Sequence, residues 1–448
     1  MRRMPAADEP VRASMTPEQL LRPASWAIRT CTEGDIVTNL SCWYYPSVRL
    51  TGSDDEARAM ITEALAKWRE IGVPFAEDGD GSRFYDPDEV INFGLAATLL
   101  GADDFWAEHI APLQPQMLHW FAGKPFSWED VPDFGNMHRR NCRIELRRTY
   151  DLPPEAVGKR LRLKLPLPLA VPHFQVEGMD LHSSVEGRIR ASGNRADLAI
   201  TAEKAGPVEL AFSVRASALP DLGTSDELSP EERALYTAGK EGLIAVSPAI
   251  DALSQRLAAG DGDPATLVHR YYQYLIDAFV HGRVAYRAID SQWPTDWPLR
   301  EGYYDCQIGS ALLIALCRAR GIPARLVNGY QIFHGYLANH FWAEIWFDGA
   351  WRPFDLASWD AVRIYGSERW RSCFAGQTEY RLTLQRFPRE ILGAGSIGLP
   401  QEWHQLLSHE GPATTTQFRE ARSQQLIYQD SMSIEWGASE IVQGPETE

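Results

Sequence analysis

The sixty residues from 301 to 360, EGYYDCQIGSALLIALCRARGIPARLVNGYQIFHGYLANHFWAEIWFDGAWRPFDLASWD, constrain this chain more than any other stretch. After Cys306, the apolar residues Ile308, Ala311, Leu312, Ala315 and Leu316 recur at intervals of three and four, until Gly321 and Pro323 end the pattern. A buried amphipathic helix is predicted. Asp305 stands where an N-cap belongs, which puts Cys306 in the first turn, among unpaired N–H groups and at the positive end of the helix dipole. A thiol so placed is expected to ionise more readily than a free one, while the adjoining Asp305 carboxylate acts against that. One strand is predicted over 322–333 and another over 340–347, with Asp348-Gly349 as a two-residue hairpin turn. If Phe347 pairs with Ala350, Trp342 faces Asp355 and His340 faces Ala357. His340 and Trp342 share one side of the sheet, so Asp355 becomes the diagonal neighbour of His340.

A thiol, an imidazole and a carboxylate in this order are the parts of an activated nucleophile. Histidine takes the thiol proton, the carboxylate orients the ring and stabilises its cation, and the thiolate attacks an acyl carbon to form a thioester. Water would then release an acid, whereas an amine would release a new amide. A lone cysteine at the start of a buried helix is more often packing than catalysis; the ordered His340 and Asp355 reverse that reading and make Cys306 a nucleophile candidate. Asp355 alone could close a strand end.

The run from Cys306 through GIPARLVNGY, NHFWAEIWFDG and WRPFDLAS resembles the transglutaminase-like superfamily of papain-like cysteine enzymes, over about 120 residues from the helix near Pro264 to Leu384. The resemblance implies an α+β fold with Cys306 as nucleophile, His340 as base and Asp355 as its orienting acid. It implies an acyl donor that is a peptide, a protein or a thioester, an amine or water as acceptor, and no cofactor. Members include protein crosslinkers, peptidases, amidases and enzymes that join an amine to a carrier-bound thioester. Acyl transfer to an amine is the preferred expectation, with a cysteine peptidase or amidase as one alternative and a catalytically silent binding scaffold as another. Many members carry glycine two residues before the cysteine, where this chain has Tyr304, which could narrow access to the thiol. The second oxyanion donor is open among Tyr286, Trp293 and Trp297.

Around this core the chain divides into 1–135, 136–222, 230–390 and 391–448. In the first part the apolar positions of Asp54–Ile71 predict a helix, and Asp86 with Pro87 opens another that runs to Gly101. No resemblance extends to 1–135, whose role is open. From Arg139 the period changes: Cys142, Ile144, Leu146 and Arg148 alternate with Arg143, Glu145, Arg147 and Thr149. Further strands are predicted at 161–167, 188–192, 197–201 and 208–214, together an antiparallel β-sandwich of the sort that precedes the core in bacterial members. DLGTSDELS at 221–229 is the best linker, and 264–279 a helix. Residues 391–448 are a C-terminal extension.

Composition removes several classes of function. With 44 Lys and Arg against 60 Asp and Glu, the net charge of -16 repels phosphate backbones and anionic membranes, so neither nucleic acid nor membrane is expected as a partner. The arginines at 139, 140, 143, 147 and 148 form the one basic cluster, a solvated face or a dock for an acidic carrier protein. The start, MRRMPAADEPVRASM, lacks an apolar run after its basic residues, and a cytoplasmic setting is expected. The six cysteines form no CxxC pair and read as individual thiols, Cys317 as core. There is no HExxH, EF-hand spacing or phosphate loop, and no metal is expected. Glu344 is either a second polar group in the cleft or an exposed strand carboxylate. Trp342, Trp346, Trp351 and Trp359 line the cleft or pack the core, and His334 is read as a surface or packing residue.

Overall fold

The computed structural model describes residues 17–48, 54–105, 108, 138–218, 223, 227–332, 338–357, 374–376, 381–388, 403–410, 413–420 and 427–441. The 221–229 linker, apart from Gly223 and 227–229, together with Trp359, His334 and Cys373, lies outside them.

The predicted core helix is Cys306–Arg318, and its N-cap is Asp305, whose side chain accepts from the N–H groups of Gln307 and Ile308. Every residue from Ile308 to Arg318 is buried. The helix packs on a four-stranded antiparallel sheet in the order Ala350–Phe354, Ala338–Phe347, Ala324–Gln331, Arg381–Arg386. The hairpin register is the one expected from the turn residues, with Phe347 opposite Ala350 and Ala343 opposite Phe354. Asp348 and Gly349 both take positive φ, 51° and 70°, as a tight turn of this hand requires. Pro264–Ala278 is the second core helix and buries Leu267, Val268, Tyr271, Tyr272, Leu275 and Ile276 against the first. Tyr304 is fully buried, its ring against the backbone of Gly309, where an added Cβ would lie 2.7 Å from it.

The β-rich layer is larger than its sequence suggests. Its main sheet runs Trp403–Glu410, Ala413–Glu420, Ile427–Ile441, His138–Leu152, Gly206–Ala218, Phe174–Ser183, and faces a smaller sheet of Arg160–Pro166, Arg195–Thr201 and Arg188–Ser192. Thus 427–441 pairs along the whole of 138–152, from Asp151 opposite Ile427 to His138 opposite Ile441. The alternation of 138–152 is as expected, with Cys142, Ile144 and Leu146 buried and Arg143 and Arg147 exposed. Arg148 lies on the inner side, donating to the Lys164 carbonyl at 3.1 Å, and Arg147 is shared between Glu145 and Glu209.

This layer also closes the core sheet. Arg381–Arg386 is an edge strand, and its outward carbonyls at Thr383 and Leu384 accept from the Leu169 N–H and from Asn194 Nδ2, both at 2.8 Å. Leu382 and Leu384 are buried in the apolar core of the sandwich itself. Edge strands need such cover, and here it fixes the position of the residue that opens the strand, Arg381.

The N-terminal part contributes the helices Glu33–Val48, Asp54–Ile71 and Pro87–Leu99, the last capped by Asp86 as expected. It grips the core just ahead of Cys306. Buried Asn92 accepts from the Arg283 N–H at 2.7 Å and donates to the Arg283 carbonyl at 2.9 Å, while Tyr303 donates to the Leu20 carbonyl at 2.7 Å. Among the described residues no helix is long and apolar enough to cross a membrane.

Candidate active site

His340 and Asp355 meet as the hairpin register requires. His340 Nε2 lies 2.9 Å from both oxygens of Asp355; the histidine side chain is 8% exposed and the carboxylate has no exposed surface. The strand carrying His340 ends its ladder with Asp355's chain at Phe354, and Asp355 is then held by its own N–H to the Phe374 carbonyl and by Tyr272, whose hydroxyl donates to the Asp355 carbonyl at 2.9 Å. Trp342, fully buried, stacks beside the imidazole with ring centroids 6.5 Å apart. Gly329, opposite His340 on the neighbouring strand, is required by this packing, since a Cβ there would meet the Leu382 carbonyl at 2.0 Å and the Trp342 ring at 2.9 Å.

Cys306 is half-buried at the first turn of its helix, where the backbone N–H of Phe341, next to His340, reaches its sulfur. The expectation of an easily ionised thiol is not met. Burial pushes the Cys306 thiol well up, the Asp305 carboxylate adds to this, and Asp355 adds less, while the N–H groups of Phe341 and of Cys306 itself pull the other way. Two carboxylates and desolvation outweigh one helix end, because the dipole contributes only a fractional charge. Asp305 is itself fixed by Tyr286, whose hydroxyl donates to its two oxygens at 2.8 and 2.7 Å. A phenol has one hydrogen, so Tyr286 is occupied and is set aside as an oxyanion donor. Trp293 lies under the Lys240 ammonium, 5.7 Å from its ring centroid. Trp297 is buried, with an indole N–H that has no hydrogen-bond partner among the described residues.

The Asp305 charge gives a direct expectation. Asp305→Asn keeps a good N-cap but removes the anion beside the sulfur, so alkylation of Cys306 by iodoacetamide at pH 8 should quicken by about three- to tenfold. The check is the pH dependence of the alkylation rate, which should move to lower pH in the variant.

Glu344 fits neither reading offered by the sequence. It is buried in an ion pair with Arg325 at 2.6 Å, and although burial alone would raise its carboxyl, Arg325, Arg386 and His173 hold it below its ordinary value. Arg325 in turn lies 3.9 Å from the Trp351 ring centroid, so Trp351 and its edge-on neighbour Trp346 are structural packing. Cys31, Cys306 and Cys317 are free thiols, Cys317 without exposed surface. Among the described residues no group of three His, Cys, Asp or Glu is gathered as a metal site.

One residue at the site has no signal in the sequence pattern. Arg381, fully buried, donates from Nη2 to Asp355 Oδ2 at 3.0 Å and lies over the Trp342 ring, 4.6 Å from its centroid.

An α+β core with a cysteine at the first turn of its central helix and a buried histidine–carboxylate pair on the adjoining sheet has the build of the cysteine-dependent enzymes. Residues 251–356, the segment that carries Cys306, His340 and Asp355, match the family model of the transglutaminase-like superfamily. No curated protein matches the chain. Among solved structures it is similar to a candidate cysteine protease from Cytophaga hutchinsonii, at 14% identity over 69% of this chain and 94% of that one, with a TM-score of 0.43. It is similar also to the periplasmic domain of TgpA from Pseudomonas aeruginosa, at 18% identity over 55% and 97% of the two chains, with a TM-score of 0.33. Red sea bream transglutaminase matches at 8% identity over 68% and 73%, with a TM-score of 0.26. Likenesses of this size carry nothing about the reaction.

Proposed function

We propose that the chain is a cysteine acyltransferase in which Cys306 takes an acyl group as a thioester and passes it to an amine. The buried His340–Asp355 pair, 2.9 Å apart, carries this reading, because Cys306 lies against the backbone beside that histidine. An ionised Asp355 can only accept, so the shared hydrogen sits on Nε2 and Nδ1 keeps its lone pair. As the sulfur attacks the acyl carbon, its proton passes to Nδ1; the imidazolium then protonates the leaving group as the tetrahedral intermediate collapses to the thioester. An incoming amine gives its proton to Nδ1, forms the amide and returns the thiolate, which recovers the proton. Burial and the Asp305 carboxylate push the thiol up, which favours proton transfer to the histidine in step with attack. The N–H of Cys306, left out of the Asp305 cap, is available to the oxyanion.

The donor is a peptide, a protein or a thioester, and an acidic carrier of that thioester would find Arg143 as its exposed basic contact. Burial of Trp342 and of the His340–Asp355 pair supports an amine over water as acceptor, since transfer needs a site from which water is excluded. The test is intact mass spectrometry with a mixture of peptides and acyl thioesters, with and without amines. The expected result is a mass gain at Cys306 that decays faster with amine and yields the amide. Decay indifferent to amine, with only the acid released, would assign the chain to the peptidases and amidases that form the same thioester. No adduct and an unreactive thiol would favour a binding scaffold and move attention to residues 1–135.

A further inference from the structure

We infer that Arg381 is a positioning residue of the site, a buried cation that holds Asp355 as the acceptor for His340 Nε2–H and so leaves Nδ1 free to take the thiol proton. The inference rests on the Cys306–His340–Asp355 reading and deepens it. Arg381 stands 25 residues beyond the end of the matched segment, on a strand whose edge is bound by the β-rich layer.

The physical argument starts from Asp355, which has no exposed surface. A carboxylate cut off from water persists as an anion only where charge and hydrogen bonds replace the lost solvent. The ionisable and charged groups that face it among the described residues are His340 from its own sheet, Arg381 from the edge strand, Tyr272 from the Pro264–Ala278 helix through the Asp355 carbonyl, and Cys306 from the central helix. Of these only Arg381 is a permanent cation. It is aimed by its position at the start of Arg381–Arg386 and by the Trp342 face beneath it, and it too has no exposed surface.

The consequence is a choice of tautomer. Beside an ionised Asp355 the neutral ring carries its hydrogen on Nε2, and Nδ1 is a base. Beside a protonated Asp355 the carboxyl donates to Nε2, the ring hydrogen moves to Nδ1, and the thiol proton has nowhere to go. Removing Arg381 favours the second arrangement. The sandwich, by fixing the Arg381 strand, thereby reaches the chemistry without touching it.

The experiment compares wild type, Arg381→Met, Arg381→Lys and His340→Ala in the full-length chain. The readouts are the ¹⁵N shifts of the His340 ring and the pH dependence of Cys306 alkylation and, where a donor is found, of turnover. Arg381→Met should place the hydrogen of the neutral ring on Nδ1 and move the acid limb of the rate up by about one to three pH units. Arg381→Lys, which keeps the charge, should recover Nε2–H and most of the shift. If both variants fold, keep Nε2–H and leave the acid limb in place, Arg381 is packing alone and the inference is overturned. If alkylation is the same in His340→Ala as in wild type, the histidine does not act on the thiol and the underlying reading fails, whatever Arg381 does to the ring. Should Arg381→Met not fold, Arg381→Gln, which keeps hydrogen-bond donors but loses the charge, takes its place: Nδ1–H on the neutral ring supports the inference, and retained Nε2–H with an unmoved acid limb overturns it.

Discussion

Cys306→Ala should form no adduct with any acyl donor and should lower turnover by at least about 10⁴-fold, with His340→Ala close behind, because nucleophile and base act as one unit and loss of either removes the step. The two are separable by measurement. Alanine at 306 eliminates covalent trapping in an intact-mass experiment, whereas alanine at 340 leaves a thiol that alkylates slowly, held up as it is by burial and by Asp305. The slow thiol of His340→Ala should gain rate steadily as pH rises, since only hydroxide then remains to remove its proton. Turnover that survives either change would place the chemistry elsewhere in the chain.

Asp355→Asn should be nearly as damaging to catalysis, by about 10⁴-fold, while leaving the fold in place. The amide preserves the shape of the carboxylate but can donate to His340 Nε2, which forces the ring hydrogen onto Nδ1, the nitrogen that must accept. Asp355→Leu should do something different. It strands the Arg381 guanidinium, which has no exposed surface, and removal of one partner from a buried ion pair costs about 3–5 kcal/mol. Urea denaturation should therefore show Asp355→Leu markedly destabilised and Asp355→Asn much less so, while both are inactive. A fully active Asp355→Asn would mean that ring orientation is supplied by other groups.

Much of this site is legible in the amino-acid sequence. The helix from Cys306, its Asp305 cap and the Asp348-Gly349 turn are consequences of spacing and of local backbone chemistry, and a correct turn carries its register outward, which is why the sequence already makes His340 and Asp355 diagonal neighbours. The features that escape it have their own physical character. Phe174–Ser183, an edge strand alternating between half-buried and exposed residues and shifted in register between Val176 and Gly178, has too weak a pattern to announce itself. The pairing of 427–441 with 138–152 joins the two ends of the β-rich layer across nearly the whole core, and neither partner's sequence encodes the identity of the other. The burial of Glu344 is hidden because alternation tells which residues share a face and not whether that face is wet; the Arg325 guanidinium that allows its burial lies on a neighbouring strand.

By itself, then, the sequence determined the elements that depend on residues a few positions apart: helix, cap, turn, register, and the order of thiol, imidazole and carboxylate. Tertiary structure alone decided the direction in which that thiol is pushed and the identity of the cation behind the carboxylate. The reason is that desolvation and Coulomb interactions depend on whatever atoms folding brings within a few ångströms. Phe341 and Asp355 beside Cys306, and Arg381 beside Asp355, arrive there from distant stretches of chain.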